Sequence, residues 1–219
     1  MGAQTRSVAA FAPGSRVLFQ GDSITDMNRG RTADPNHILG HGYVFVIASR
    51  YGAAYPERKL VFMNRGVSGN TVADLASRWQ DDTIELKPDV LSILIGINDM
   101  NRGVSVEQYE DSYDKLLART VDGLPNAKLV LIEPFGLPVA KYAGDSWPQT
   151  LANLRARQTV VAKLAAKYHA ALVHAQKAME SAVERAPADY WMWDGIHPTY
   201  SGHQILADEW VKVVDAAWK

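Results

Sequence analysis

Short, almost unbroken apolar runs recur along this chain at 16–20, 60–64, 90–95, 128–132 and 170–174. Runs of that length without polar alternation predict strands covered on both faces. Between them, apolar positions recur at helical spacing over 43–51, 71–87, 106–121, 150–168, 176–185 and 201–218. The segment 106–121 carries Tyr109, Tyr113, Leu116 and Leu117 on one stripe, and 150–168 carries Leu151, Leu154, Val161 and Leu164. Pro88 closes the helix that begins at Thr71. Five β–α alternations in one chain predict a parallel, doubly wound α/β sheet with right-handed crossovers. Such sheets bind ligands outside the carboxyl ends of their strands, so the loops that follow the strands are the ones to read for chemistry.

Composition narrows the classes. A chain of 219 residues with 47% apolar and 21% charged residues fits one globular domain, 1–219, with 1–14 as an N-terminal extension. The formal net charge is −1 and no dense Lys/Arg block occurs, which argues against nucleic acid or an anionic membrane as partner. There is no cysteine, which excludes disulfides, a thiol nucleophile and cysteine-based zinc sites. No apolar run approaches the ~18 residues of a membrane span. The stretch 1–14 has one arginine and only a short apolar piece at 8–12, too weak for a secretory leader. The expectation is a cytoplasmic protein; a secreted one with its leader removed would read the same way. His37 and His41 are four apart but lie in a glycine-containing loop without a matching acidic cluster, so no metal site is expected.

Chemistry concentrates after the strands. Gly21-Asp22-Ser23 follows the first, Asn64 to Thr71 the second and Gly96-Ile97-Asn98-Asp99 the third, while Trp193-Asp194-Gly195-Ile196-His197-Pro198 precedes the last helix. A serine at a strand-to-helix turn presents its hydroxyl at the sheet edge. It becomes a nucleophile once a neighbouring base takes its proton. His197 is the base the chain offers, and Asp194, three residues earlier, can orient its imidazole. Gly69 and Ser23 can supply backbone N–H groups, and Asn98 a side-chain amide, to an oxyanion. The combination points to acyl transfer.

Gly-Asp-Ser-Ile-Thr at 21–25, the loop ending at Gly69, Gly-Ile-Asn-Asp at 96–99 and Asp-Gly-Ile-His at 194–197 resemble the four blocks of the SGNH (GDSL-like) hydrolases, in the same order. That resemblance implies Ser23 as nucleophile, Asp194 and His197 as its partners, and Ser23, Gly69 and Asn98 as the oxyanion hole. It also implies a three-layer flavodoxin-like fold, a five-stranded parallel sheet with helices on both faces, and no cofactor. The stretches 39–43, 66–72 and 193–198 are similar to the bacterial acetylxylan (acetyl-xylooligosaccharide) esterases within that superfamily. This implies an acetylated sugar as substrate and a homo-oligomer as a state to look for.

Each residue also has a plainer reading. Serine at a helix start is usually a cap, and Asp22 reads as a buttress of its turn rather than a second acid. His203 reads as structural. Trp191 and Trp193 precede Asp194, where an aromatic face would suit a sugar ring, although tryptophan is more often buried area. Trp147 falls in another loop that would rim the site. Arg65 is the candidate to orient a polar substrate, and Trp210 and Trp218 are candidate exposed aromatics for a partner surface. Two further functions fit the same chemistry: a lysophospholipase or thioesterase for longer acyl chains, and a carbohydrate-binding protein without catalysis.

Overall fold

The computed structural model describes residues 11–32 and 34–218, so most of the N-terminal extension lies outside the described residues. Five strands form, β1 (Arg16–Gly21), β2 (Val61–Asn64), β3 (Val90–Leu94), β4 (Lys128–Ile132) and β5 (Ala171–Val173). All pair in parallel, in the order β2-β1-β3-β4-β5. Successive side chains of a strand point to opposite faces. Val17, Phe19, Val90, Leu94, Val130 and Ile132 therefore enter one core, while Leu18, Leu91, Ile93, Leu129 and Leu131 enter another.

Helices α2 (Tyr43–Ala54), α7 (Ala175–Val183) and α9 (Tyr200–Ala217) close the first core. The second is closed by α3 (Val72–Trp79), α5 (Val106–Gly123) and α6 (Trp147–Lys167). The result is helices, sheet, helices: the three layers the sequence predicts. Short helices α1 (Ser23–Asp26), α4 (Ile97–Asn101) and α8 (Ala188–Trp191) sit between the main elements. Capping boxes, Thr71 with Asp74 and Ser105 with Gln108, start α3 and α5. From β1 the chain first crosses to β2 on one side, then returns to β3 on the other. The connections diverge there, which opens a crevice between the carboxyl ends of β1 and β3.

Three expectations need correction. The helix expected over 71–87 is α-helical only to Trp79 and continues as a single π-helical turn, Gln80–Ile84. The wider turn leaves carbonyls without their usual partners. Gln20 of β1 takes one, donating to Asp82 O at 2.8 Å and to Thr83 Oγ1 at 2.7 Å. Trp210 is fully buried, not a surface aromatic: it packs on Phe19 and donates its indole N–H to Ser92 Oγ at 3.0 Å. Trp147 opens α6 rather than sitting in a loop, and packs against the first core.

One close approach joins the fold to the site. Gly202 lies in the first turn of α9, where a Cβ would stand 2.1 Å from the Trp191 carbonyl oxygen. Glycine costs a helix about 1 kcal/mol relative to alanine. Here it is what lets α9 lie directly against the segment that carries Asp194 and His197.

Candidate active site

At the end of β1 the backbone turns tightly at Gly21, where a Cβ would fall 2.4 Å from both Leu94 O and Thr25 Oγ1. No side chain fits there. Asp22 caps the short helix that follows, its Oδ1 accepting from Ile24 N at 3.0 Å. The cap is therefore Asp22, and Ser23 is left free of that duty as the first helical residue, partly exposed at the sheet edge.

Ser23 Oγ lies 2.7 Å from His197 Nε2, a hydrogen bond across 174 residues of sequence. His197 Nδ1 lies 2.7 Å from Asp194 Oδ2. The other oxygen of Asp194 organises its own loop, accepting from Ile196 N at 3.0 Å and His197 N at 2.8 Å. Burial opposes ionisation of Asp194. Hydrogen bonds from the His197 ring, the His197 N–H and the Ile196 N–H outweigh it and hold the carboxyl below the usual aspartate range. A carboxylate there fixes the imidazole with Nδ1 protonated and Nε2 turned to the serine as acceptor. The loop is closed by Trp193 N donating to His197 O at 2.9 Å and by a bridge between Met192 and Pro198. Gly195, at φ 94°, presses on Tyr142 and on the Val139 and Leu137 carbonyls, so it too excludes a side chain.

The loop after β2 lies alongside. Val67 N donates to Gly21 O at 3.0 Å, tying it to the Ser23 turn. Asp26, buried on α1, accepts from Ser68 N and Ser68 Oγ, both at 2.9 Å. Gly69 follows at φ 84°, its carbonyl held by Arg102 Nη2 at 2.6 Å. On α4, Asn98 Nδ2 donates to Asn70 O at 3.0 Å. That engages one amide hydrogen and leaves the second for another acceptor. The N–H groups of Ser23 and Gly69 find no acceptor among the described residues. Three unspent donors thus sit on the loops that flank the β1/β3 crevice.

The structure brings Ser23, His197 and Asp194 into one hydrogen-bonded chain and puts Gly69 and Asn98 on adjoining loops. It does not bring all the predicted binding residues there. Trp193 is 54% exposed next to Asp194, available to a ligand. Trp191 is buried, with its indole N–H on Ala186 O at 3.0 Å and Arg185 over its ring. It has no face left for a sugar. Arg65 turns away into a separate pocket with Arg29 and Arg31. Sequence reasoning missed Asp26, which positions Ser68 and hence the Gly69 loop, and Asn70, whose carbonyl fixes the Asn98 rotamer.

Asp22 has a second oxygen, Oδ2, that is buried without a partner among the described residues. Burial pushes this carboxyl up to about 7, against the hydrogen bond from Ile24 N and the attraction of His197. The folded protein therefore keeps a proton that the unfolded chain has released, and stability falls as pH rises from 3.8 to about 7. Asp22→Asn keeps the cap oxygen and removes the titration. Relative to the variant, the wild type should lose up to about 1.4 kcal/mol for each pH unit crossed in that window. Urea unfolding at pH 5 and pH 8 measures this. Equal changes in both proteins would show that Asp22 does not titrate there.

The model of the GDSL-like lipase/acylhydrolase family matches residues 19–205. An acetylxylan esterase of Geobacillus stearothermophilus is 33% identical over 215 residues, covering 94% of this chain and 96% of that protein. The crystal structure of an acetylxylan esterase from the same organism superposes with a TM-score of 0.80 at 31% identity, covering 94% of this chain and 96% of the other. An alpha/beta hydrolase enzyme from the metagenome of Lake Arreo, Spain, superposes with a TM-score of 0.83 at 32% identity, covering 95% and 99% of the two chains.

Proposed function

From the premise that the chain belongs to the GDSL-like lipase/acylhydrolase family, we propose that it removes acetyl groups from sugar hydroxyls, with acetylated xylo-oligosaccharides as the substrate class. It is a carboxylic ester hydrolase. The observation that carries the mechanism is the unbroken relay from Ser23 Oγ through His197 to Asp194, with both links at 2.7 Å.

Ser23 Oγ attacks the ester carbonyl carbon while His197 Nε2 takes its proton. The carbonyl oxygen gains the charge and is met by Ser23 N–H, Gly69 N–H and the second amide hydrogen of Asn98. The tetrahedral intermediate collapses, the C–O bond to the alcohol breaks, and His197 returns the proton to the leaving oxygen. Water then attacks the acetyl-serine, giving up its proton to His197. Acetate leaves and Ser23 regains its hydrogen. Asp194 stays ionised throughout and stabilises the imidazolium in each half-reaction. Exposed Trp193, next to Asp194, supplies an aromatic face for a sugar ring.

The acetyl preference is supported by the polar residues of the segments that carry the oxyanion donors: Asn70 beside Gly69, and Asn98 and Asn101 on α4. A panel of p-nitrophenyl esters from acetyl to decanoyl, together with acetylated xylo-oligosaccharides and other acetylated sugars, tests the reading. We expect kcat/KM to be highest for acetyl and to fall at least about tenfold by butyryl, since a misfit methylene costs about 1–3 kcal/mol. A maximum at octanoyl or decanoyl would instead mean a long-chain acyl substrate.

A further inference from the structure

We propose that a second, separate pocket, at the carboxyl end of β2, binds the carboxylate or phosphate group of a small ligand. Its volume is about 190 Å³, and its walls include Arg29, Arg31, Arg65 and Thr32 on the polar side and Ile38 and Phe62 on the apolar side.

The charge balance is the first observation. Three guanidinium groups line it, Arg29, Arg31 and Arg65, and a fourth, Arg78, reaches the cluster through Asp82, in a chain whose net charge is −1. Two carboxylates oppose them. Asp26 is saturated: Arg31 grips it with two bonds of 3.0 and 2.7 Å, and Ser68 and the Arg29 N–H fill its remaining positions. Asp82 accepts from Arg78 at 2.9 Å and is 3.9 Å from Arg65 Nη1. The cluster keeps an excess of two positive charges inside a concave wall, which focuses the potential on whatever enters.

The second observation is Arg29 itself. It is only 9% exposed, yet its guanidinium makes a single hydrogen bond, Nε to Gly66 O at 2.8 Å. Its two terminal nitrogens have no hydrogen-bond acceptor among the described residues. Burial, with repulsion from Arg31 and Arg65, pulls its pKa down to about 10, so the fold holds this charge in place at a cost. The two terminal nitrogens are not sealed in the core but open to the pocket, and the planar fork of a guanidinium is matched by a carboxylate or phosphate edge. The apolar side of the pocket would receive the carbon frame that carries the anion.

The pocket also adjoins the hydrolytic site. Arg29 holds Gly66, and Gly66 and Gly69 are three residues apart, so their Cα atoms lie within about 11 Å of each other. The proposal does not depend on which ester is cleaved.

Isothermal titration calorimetry of the full chain at low salt tests it, with inorganic phosphate and glucuronate as probes and glucose as the neutral control. Saturable binding of phosphate, glucuronate or both is expected, with none for glucose. Which anion binds identifies a phosphate- or a carboxylate-bearing ligand. Arg29→Gln should weaken binding at least tenfold. Arg65→Gln, a half-exposed side chain with one long ion pair, guards against misfolding of the first variant and should weaken binding several-fold. No saturable binding of either anion, or affinities unchanged in Arg65→Gln and a folded Arg29→Gln, would overturn the proposal.

Discussion

Replacing Ser23 with alanine is expected to lower turnover of p-nitrophenyl acetate by on the order of 10⁴- to 10⁶-fold, with the fold unchanged. Both halves of that result follow from local geometry. Among the described residues the only hydrogen bond of Ser23 Oγ is to His197 Nε2, and the helix it begins is capped by Asp22. Removing a partly exposed hydroxyl that caps nothing should leave the melting temperature within a few degrees of wild type. In the proposed mechanism the same hydroxyl bonds to the acyl carbon, so its loss would remove the covalent route altogether. His197→Ala should fall to a similar floor, and the double variant no lower, because the two side chains act as one unit. Asp194→Asn should cost less. Its amide oxygen can still accept from Ile196 N and His197 N, but its NH₂ would face His197 Nδ1 and favour the wrong tautomer. A folded Ser23→Ala retaining more than a few per cent of wild-type turnover would remove Ser23 from the mechanism.

The parts of the site legible in the sequence were those encoded locally and repeated by topology. An apolar run ending in glycine, then a serine, marks a turn at a strand end. Asx-type geometry lets Asp194 reach His197 within a three-residue loop. The doubly wound pattern then assigns all these loops to one edge. What was not legible depended on neighbours distant in sequence. Trp191 and Trp193 are two residues apart, but one ends α8 and packs inward while the other stands on an extended loop. No local signal separates them. Arg65 follows β2 as expected, yet its direction is set by Asp82 and by the arginine pocket. The π-helical turn at Gln80–Ile84 rests on Gln20, 60 residues earlier in another element. Trp210 is a different case. It continues the i, i+4 stripe of Leu206 and Val214, all three buried, so periodicity alone would place it in the core.

Asn98→Ala is expected to cut kcat by about 10²- to 10³-fold while leaving KM close to wild type. The case rests on counting hydrogens. The Asn98 amide has two, and Asn70 O takes one at 3.0 Å, which fixes the side chain without consuming it. The other can meet the charge that forms on the carbonyl oxygen only after attack. A donor whose acceptor is strongest in the transition state changes kcat rather than ground-state binding. A purely structural Asn98 predicts a different outcome: loss of its bond to Asn70 would lower stability by about 1 kcal/mol and leave kcat within a few-fold. Asn98→Asp separates the two readings further. It is nearly isosteric, but it replaces the donor with a second negative charge beside the developing oxyanion, so its kcat should fall below that of Asn98→Ala. Parallel measurement of kcat, KM and melting temperature for both variants decides the matter. If Asn98→Asp proves the more active of the two, Asn98 does not donate to the oxyanion, and the hole consists of the Ser23 and Gly69 N–H groups alone.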